Sequence, residues 1–123
     1  MDKLEHIFRM QKKLNDYIIK NHNLENQFDS DVWIQKNILA LISELSEVLD
    51  EVNFKWWKNK KPVDSNALKE ELADVFHFFV SMCLNAGMTA EELYKIYLNK
   101  NEENIKRQNG NSIKKDYRPN MNL

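Results

Sequence analysis

Two matched pairs of carboxylates carry most of the chemistry this sequence could do. Glu44 and Glu47 lie three residues apart in one helical stretch, and Glu71 and Asp74 repeat that spacing in the next. Residues three apart are neighbours on a helix face, so each pair projects two acids from nearly one spot. Paired acids are also common on solvated helix faces, and either pair alone would mean little. Taken together they mean more. Both pairs sit mid-helix, where a helix N-terminus cannot stabilise them, and like charges at this spacing cost roughly 0.2–0.5 kcal/mol. Both also border an apolar stripe: Glu44 is flanked by Leu41 and Leu45, and Asp74 by Val75 and Phe76.

If the two helices are joined by a short connection they pack antiparallel, and the four acids converge. Such a cluster needs cations. Oxygen ligands without a histidine or cysteine cluster suit Mg²⁺, with Mn²⁺ as the alternative, and not zinc. Magnesium keeps waters and shares its site with substrate phosphates, so the constellation points to phosphate chemistry. Glu51, one turn beyond Glu47, and Glu70, beside Glu71, read as outer acids or as ordinary surface residues.

Other polar residues fall where a ligand could use them. Gln11 and Asn15 lie on or beside the apolar stripe of the first helix, between Phe8 and Ile18. Buried amides need partners, either within the protein or on a base edge, where an amide offers both donor and acceptor. Trp56 and Trp57 stand between Lys55 and Lys58, a grouping that suits a nucleotide as well as plain packing. His77 follows Asp74 by one turn and could equally be structural. Lys100, Asn104 and Arg107 share a face of the last helix, either as a solvated charged face or as a phosphate clamp.

Four helices must hold these groups. The first is expected from about Lys3 to Asn21, and the second from about Val32 to Trp57 after an N-cap at Ser30 or Asp31. A turn rich in lysine, with Pro62, Asp64 and Ser65, leads into a third from about Ala67 to Ala86, burying Leu68, Leu72, Val75, Phe76, Phe79, Val80 and Cys83. Gly87 is placed to end it in a left-handed conformation. Thr89 and Glu92 read as a capping box for a fourth helix that ends near Gln108. The expectation is therefore an all-α, four-helix-bundle-like fold in one domain spanning residues 1–123. Only two glycines and two prolines occur, which favours long helices over a turn-rich sheet. A net charge of −1 argues against a dedicated nucleic-acid binder. No apolar run reaches the ~18 residues of a membrane span, so no membrane partner and a cytoplasmic location are expected. Cys83 reads as a small buried hydrophobe.

The acid pattern E-x-x-E followed by E-x-x-D resembles that of the all-α NTP pyrophosphatase superfamily, which includes MazG-like enzymes, dCTP pyrophosphatases and dimeric dUTPases. Further segments resemble the dimeric dUTPases: MQKKLNDYI in helix one, ALISELSEVLDEVNFKWWK in helix two, EELADVFHFF in helix three and KNEENIKRQNG near the C-terminus. The likeness runs from about Leu4 to Tyr117. It implies hydrolysis of dUTP to dUMP and pyrophosphate by a homodimer, with Glu44, Glu47, Glu71 and Asp74 holding metal and Glu47 orienting or deprotonating the attacking water. It implies Gln11 and Asn15 in the uracil pocket, Trp57 (or Trp56) beside the base or sugar, His77 near the sugar, and Asn104 on the base edge. Lys58, Lys100, Arg107 and Tyr117 would meet the phosphates. The family often carries R-Q-x-x-G-Y. Here Gly110 comes one residue early and Asn111 replaces the tyrosine, which leaves the register of Tyr117 open. A superfamily enzyme acting on dCTP or on many NTPs is the nearest rival reading. A non-catalytic helical interaction module is the rival from another class.

Overall fold

The computed structural model describes residues 2–110. Four helices and no strand occur among them: α1 Lys3–Asn21, α2 Ser30–Glu51, α3 Ser65–Asn85 and α4 Ala90–Gln108. The fold class is all-α, as the sequence predicts. A break after Thr89 divides the chain into two compact units, α1 to α3 in the first and α4 in the second.

Aspartate starts each helix of the first unit. The carboxylates of Asp2, Asp29 and Asp64 accept from backbone N–H groups at Glu5 (2.7 Å), Val32 (3.0 Å) and both Asn66 and Ala67 (3.0 Å each). These bonds satisfy donors that the helix itself leaves open. They also correct two expected starts. The cap of α2 is Asp29, not Ser30 or Asp31, and α3 begins two residues before Ala67.

Left-handed residues stop the same helices. Gly87 (φ 77°) follows α3, with Gly87 N–H donating to Leu84 O and Met88 N–H to Cys83 O. Asn23 (φ 55°) ends α1 with the same pair of bonds, to Lys20 and Ile19. Helix α2 ends at Glu51, six residues before the expected Trp57, because Asn53 takes φ 55°. Its side chain then clasps the far side of the connection: Nδ2 donates to Lys61 O at 2.7 Å, and Lys61 N–H donates to Oδ1 at 3.0 Å. The link between α2 and α3 is thus longer than expected but is pinned across its base.

Helix α3 packs chiefly along α2 and secondarily along α1. The buried side chains of this unit come from α1 (Phe8, Gln11) and α3 (Val80, Ser81, Cys83), with Val80 alone fully enclosed. Helix α2 buries none completely. Leu72, Phe76 and Phe79 of α3, expected in the core, remain 49%, 38% and 39% exposed. Phe76 lines a shallow apolar hollow with Ile7 and Met10 of α1, which covers it only in part. Cys83 is buried as expected, and desolvation pushes its thiol up from the ordinary range. No single helix among the described residues is long and apolar enough to cross a membrane.

Candidate active site

Glu44 lies seven residues before the end of α2, and Glu71 six residues after the start of α3. The packing of α3 on α2 brings these two levels together. One carboxylate oxygen from each of Glu44, Glu47 and Glu71 lies within 4.8 Å of the other two. Asp74 stands just outside this triad, one turn further along α3, yet its charge is felt at both Glu44 and Glu71. The convergence read from the sequence is therefore present, with three acids in close contact and the fourth beside them.

The electrostatics of the group are unfavourable as it stands. A hydrogen bond with Glu47, desolvation, and the charges of Glu47, Glu44 and Asp74 push the Glu71 carboxyl up to about 7. Desolvation, followed by Glu47 and Asp74, pushes Glu44 in the same direction. Oε2 of Glu44 and Oε2 of Glu71 are both buried without a hydrogen-bond partner. Buried acceptors left unpaired are costly. Two inward-facing orphan oxygens in an all-oxygen cluster are what a hard divalent cation would satisfy, so the residues present fit Mg²⁺ or Mn²⁺.

A cavity of about 430 Å³ opens beside the acids. Glu44 and Asp74 are part of its lining. Gln11, Asn15, His77 and Ser81 supply further polar groups, and Leu14, Ile18, Trp33 and Phe78 supply apolar wall. A largely apolar pocket with a few polar groups is the ordinary form of a small-molecule site. Gln11 and Asn15 are linked: Gln11 Nε2 donates to Asn15 Oδ1 at 2.9 Å, and Asn15 Nδ2 donates to Ser81 Oγ at 3.1 Å.

Several candidates from the sequence lie elsewhere. Trp56 and Trp57 sit in the connection after α2, edge-to-face at 5.6 Å, 85% and 60% exposed, and outside the cavity lining. The tryptophan in the cavity wall is Trp33, which packs edge-on against Phe28 at 5.3 Å. Lys58 lines a smaller hollow with Asp50, Asn53, Phe54 and Lys55. In the second unit, Lys100, Asn104 and Arg107 share α4, with Arg107 3.4 Å from Asn104 Oδ1 and 3.5 Å from Glu103. Tyr117 lies outside the described residues. Sequence reasoning missed Trp33, Asn37, Phe78, Ser81 and Asn85. Of these, Phe78 and Ser81 flank the α3 stripe beside His77, a signal that helix periodicity could have supplied.

A family model described as dUTPase matches residues 3–91. The chain belongs to the dUTPase family. The match takes in α1, α2 and α3, and hence every acid of the cluster and every residue of the cavity beside it. Curated relatives include the dCTP pyrophosphatase of Enterobacteria phage T4, 33% identical over 59% of this chain and 51% of the relative. Another is the dCTP pyrophosphatase of Enterobacteria phage LZ5, 42% identical over 60% of this chain and 43% of the relative. A third, the phage T4 "DNA replication protein", is 32% identical over 54% of this chain and 21% of the relative. The chain spans about half the length of the dCTP pyrophosphatases it matches. No solved structure matches it.

Proposed function

We propose that this protein hydrolyses a pyrimidine deoxynucleoside triphosphate, dUTP by preference, to the monophosphate and pyrophosphate. The observation that carries this reading is the shared boundary of acid cluster and cavity. Glu44 belongs to both, so a molecule seated in the cavity would reach the carboxylates. A nucleotide has that form, a flat base with amide-like edges at one end and a polyphosphate at the other.

Glu44, Glu47, Glu71 and Asp74 would hold Mg²⁺, or Mn²⁺. When bound, the ion draws charge from phosphate oxygens and steadies the pyrophosphate leaving group. The remaining work falls to the chain. Glu47 is the exposed member of the triad and the one free to orient the attacking water and take its proton. Water adds to phosphorus as its proton passes to Glu47, the anhydride linkage between the α and β phosphates breaks, and its electron pair stays with the departing phosphate group. Gln11 and Asn15 would read the base, and His77 would border the sugar. Lys58, Trp57, Lys100, Asn104, Arg107 and Tyr117 keep the substrate-binding roles that the resemblance implies.

A second reading is supported by a specific observation: two of the relatives are named dCTP pyrophosphatases. Rates of hydrolysis across dUTP, dCTP, dTTP and the ribonucleotides, with Mg²⁺, test both. The fastest turnover of dUTP supports the first reading and the fastest turnover of dCTP the second. Turnover of none, together with no joint binding of Mg²⁺ and a non-hydrolysable dUTP analogue, favours a non-catalytic module.

We further propose a homodimer built on α2. That helix is apolar on more than the face turned to α3: Ile34, Leu41 and Val48 are half-buried, while Leu39, Ile42 and Leu49 are 68%, 57% and 46% exposed. A helix apolar on both sides is covered on both sides in a folded protein. A second copy meets that need, since it brings the same surface.

A further inference from the structure

The polar wall of the cavity is a chain of hydrogen bonds whose direction is fixed from one end. Ser81, 3% exposed in α3, has a single hydroxyl proton. Its Oγ lies 2.9 Å from the carbonyl oxygen of His77, one turn back on the same helix. A backbone carbonyl only accepts, so the Ser81 proton is committed to it. Towards its other neighbour Oγ can then only accept. That neighbour is Asn15 of α1, 66 positions away in sequence, at 3.1 Å. Asn15 must present Nδ2 to Ser81, which turns its Oδ1 to the opposite side. There Gln11, 7% exposed, must offer Nε2, and does so at 2.9 Å. The last group in the chain is Gln11 Oε1, which bonds to nothing among the described residues.

The two pyrimidine bases differ in the same property. Uracil has a donor at N3 and an acceptor at C4, whereas cytosine has an acceptor at N3 and a donor at C4. A carboxamide free to rotate by half a turn serves either edge equally. A carboxamide held in one direction serves one. In water the restraint would be weak, but Gln11 and Ser81 are largely buried, where little solvent reaches a reversed dipole to relieve it.

We propose that Ser81 is a positioning residue for base selection: its hydroxyl fixes the direction of the Asn15 and Gln11 amides, leaving an acceptor at Gln11 Oε1 that matches N3–H of uracil and opposes the N3 lone pair of cytosine. The idea rests on the nucleotide reading of the cavity given above. It adds a residue that does not touch the base and a reason for preferring one pyrimidine. Ser81→Ala removes the fixed end of the chain without a new bulky group, and alanine is at home in a helix. Asn15 is then free to turn over, and Gln11 with it.

The experiment measures kcat/KM for dUTP and dCTP, and in parallel the binding of dUMP and dCMP by calorimetry, in the wild type, Ser81→Ala and Ser81→Thr. The wild type should prefer the uracil member in both assays. Ser81→Ala should lower that preference by about tenfold, the worth of one well-placed hydrogen bond, mainly by improving use of the cytosine member. Ser81→Thr keeps the hydroxyl and should keep the preference. A wild-type preference for cytosine overturns the proposal. So does a Ser81→Ala variant in which both substrates suffer equally, since a merely structural serine would act that way. If the wild type hydrolyses no nucleotide, the hydrolase reading fails, while the dUMP to dCMP binding ratio still decides the role of Ser81. Binding of neither monophosphate overturns this proposal as well.

Discussion

Metal loading at the acid cluster should depend on pH in a way that the geometry sets. The Glu71 carboxyl, pushed up to about 7 by its hydrogen bond to Glu47, by desolvation and by three neighbouring charges, keeps its proton far above the ordinary 4.5. An ion bound there must displace that proton. With half-titration near pH 7, Glu71 is about nine-tenths protonated at pH 6 and about one-tenth at pH 8. The apparent affinity for Mg²⁺ should therefore fall about tenfold from pH 8 to pH 6, with about half a proton released per ion at pH 7. Glu44, raised in the same direction, steepens the fall. Calorimetric titration in two buffers of different ionisation enthalpy measures both quantities. In Glu71→Gln the ion binds more weakly and the pH dependence flattens. The metal-free protein carries the opposite face of the same effect. Its folded state holds more protons than the unfolded chain between pH 4.5 and about 7. Stability should decline as pH rises through that window and level off above it, with Mg²⁺ restoring it at pH 8. An affinity that stays level from pH 6 to 8, or metal-free stability that climbs across the window, would refute the account.

Glu47→Gln should lower kcat by at least about a hundredfold while leaving the far-ultraviolet circular dichroism unchanged. Gly87→Ala forces a side chain into a left-handed residue, φ 77°, although nothing lies within 4 Å of the added carbon; urea unfolding should show a loss of about 1 kcal/mol from backbone strain alone. Asp64→Ala removes both N-cap bonds of α3 and should cost about 1 kcal/mol in the same assay. Leu39→Lys places a charge on the outward side of α2 and should convert a dimer to a monomer in sedimentation velocity, whereas an unchanged sedimentation coefficient would count against α2 as the contact.

Much of this was legible because it is local. The i, i+3 spacing of Glu44 with Glu47 and of Glu71 with Asp74 fixes which acids share a face, and the apolar stripes fix which face turns inward. Gln11 and Asn15 stood out because amides beside such a stripe are unusual. The end of α2 was not legible from its apolar rhythm, which runs on towards Trp57. It depends on one asparagine entering the left-handed region and bonding across eight residues to Lys61. Trp33 in the cavity wall was not legible for a related reason. Trp57 has lysines beside it and so looks like a nucleotide contact, whereas Trp33 owes its place in the cavity to how α2 lies against its neighbours. Periodicity could have placed Ser81 beside the α3 stripe, but not its bond to Asn15, which is on another helix. The second layer of apolar residues on α3 was misjudged as core because periodicity reports a face and not what covers it.

The absence of any fully enclosed side chain on α2 has a consequence for how such a protein behaves at low abundance. Under the proposed pairing, folding and association become a single reaction, so the melting temperature climbs with the amount of chain present. Newly made protein at trace levels would spend longer as vulnerable, half-covered protomers. Its output would then grow with the square of its concentration until most chains had found a mate.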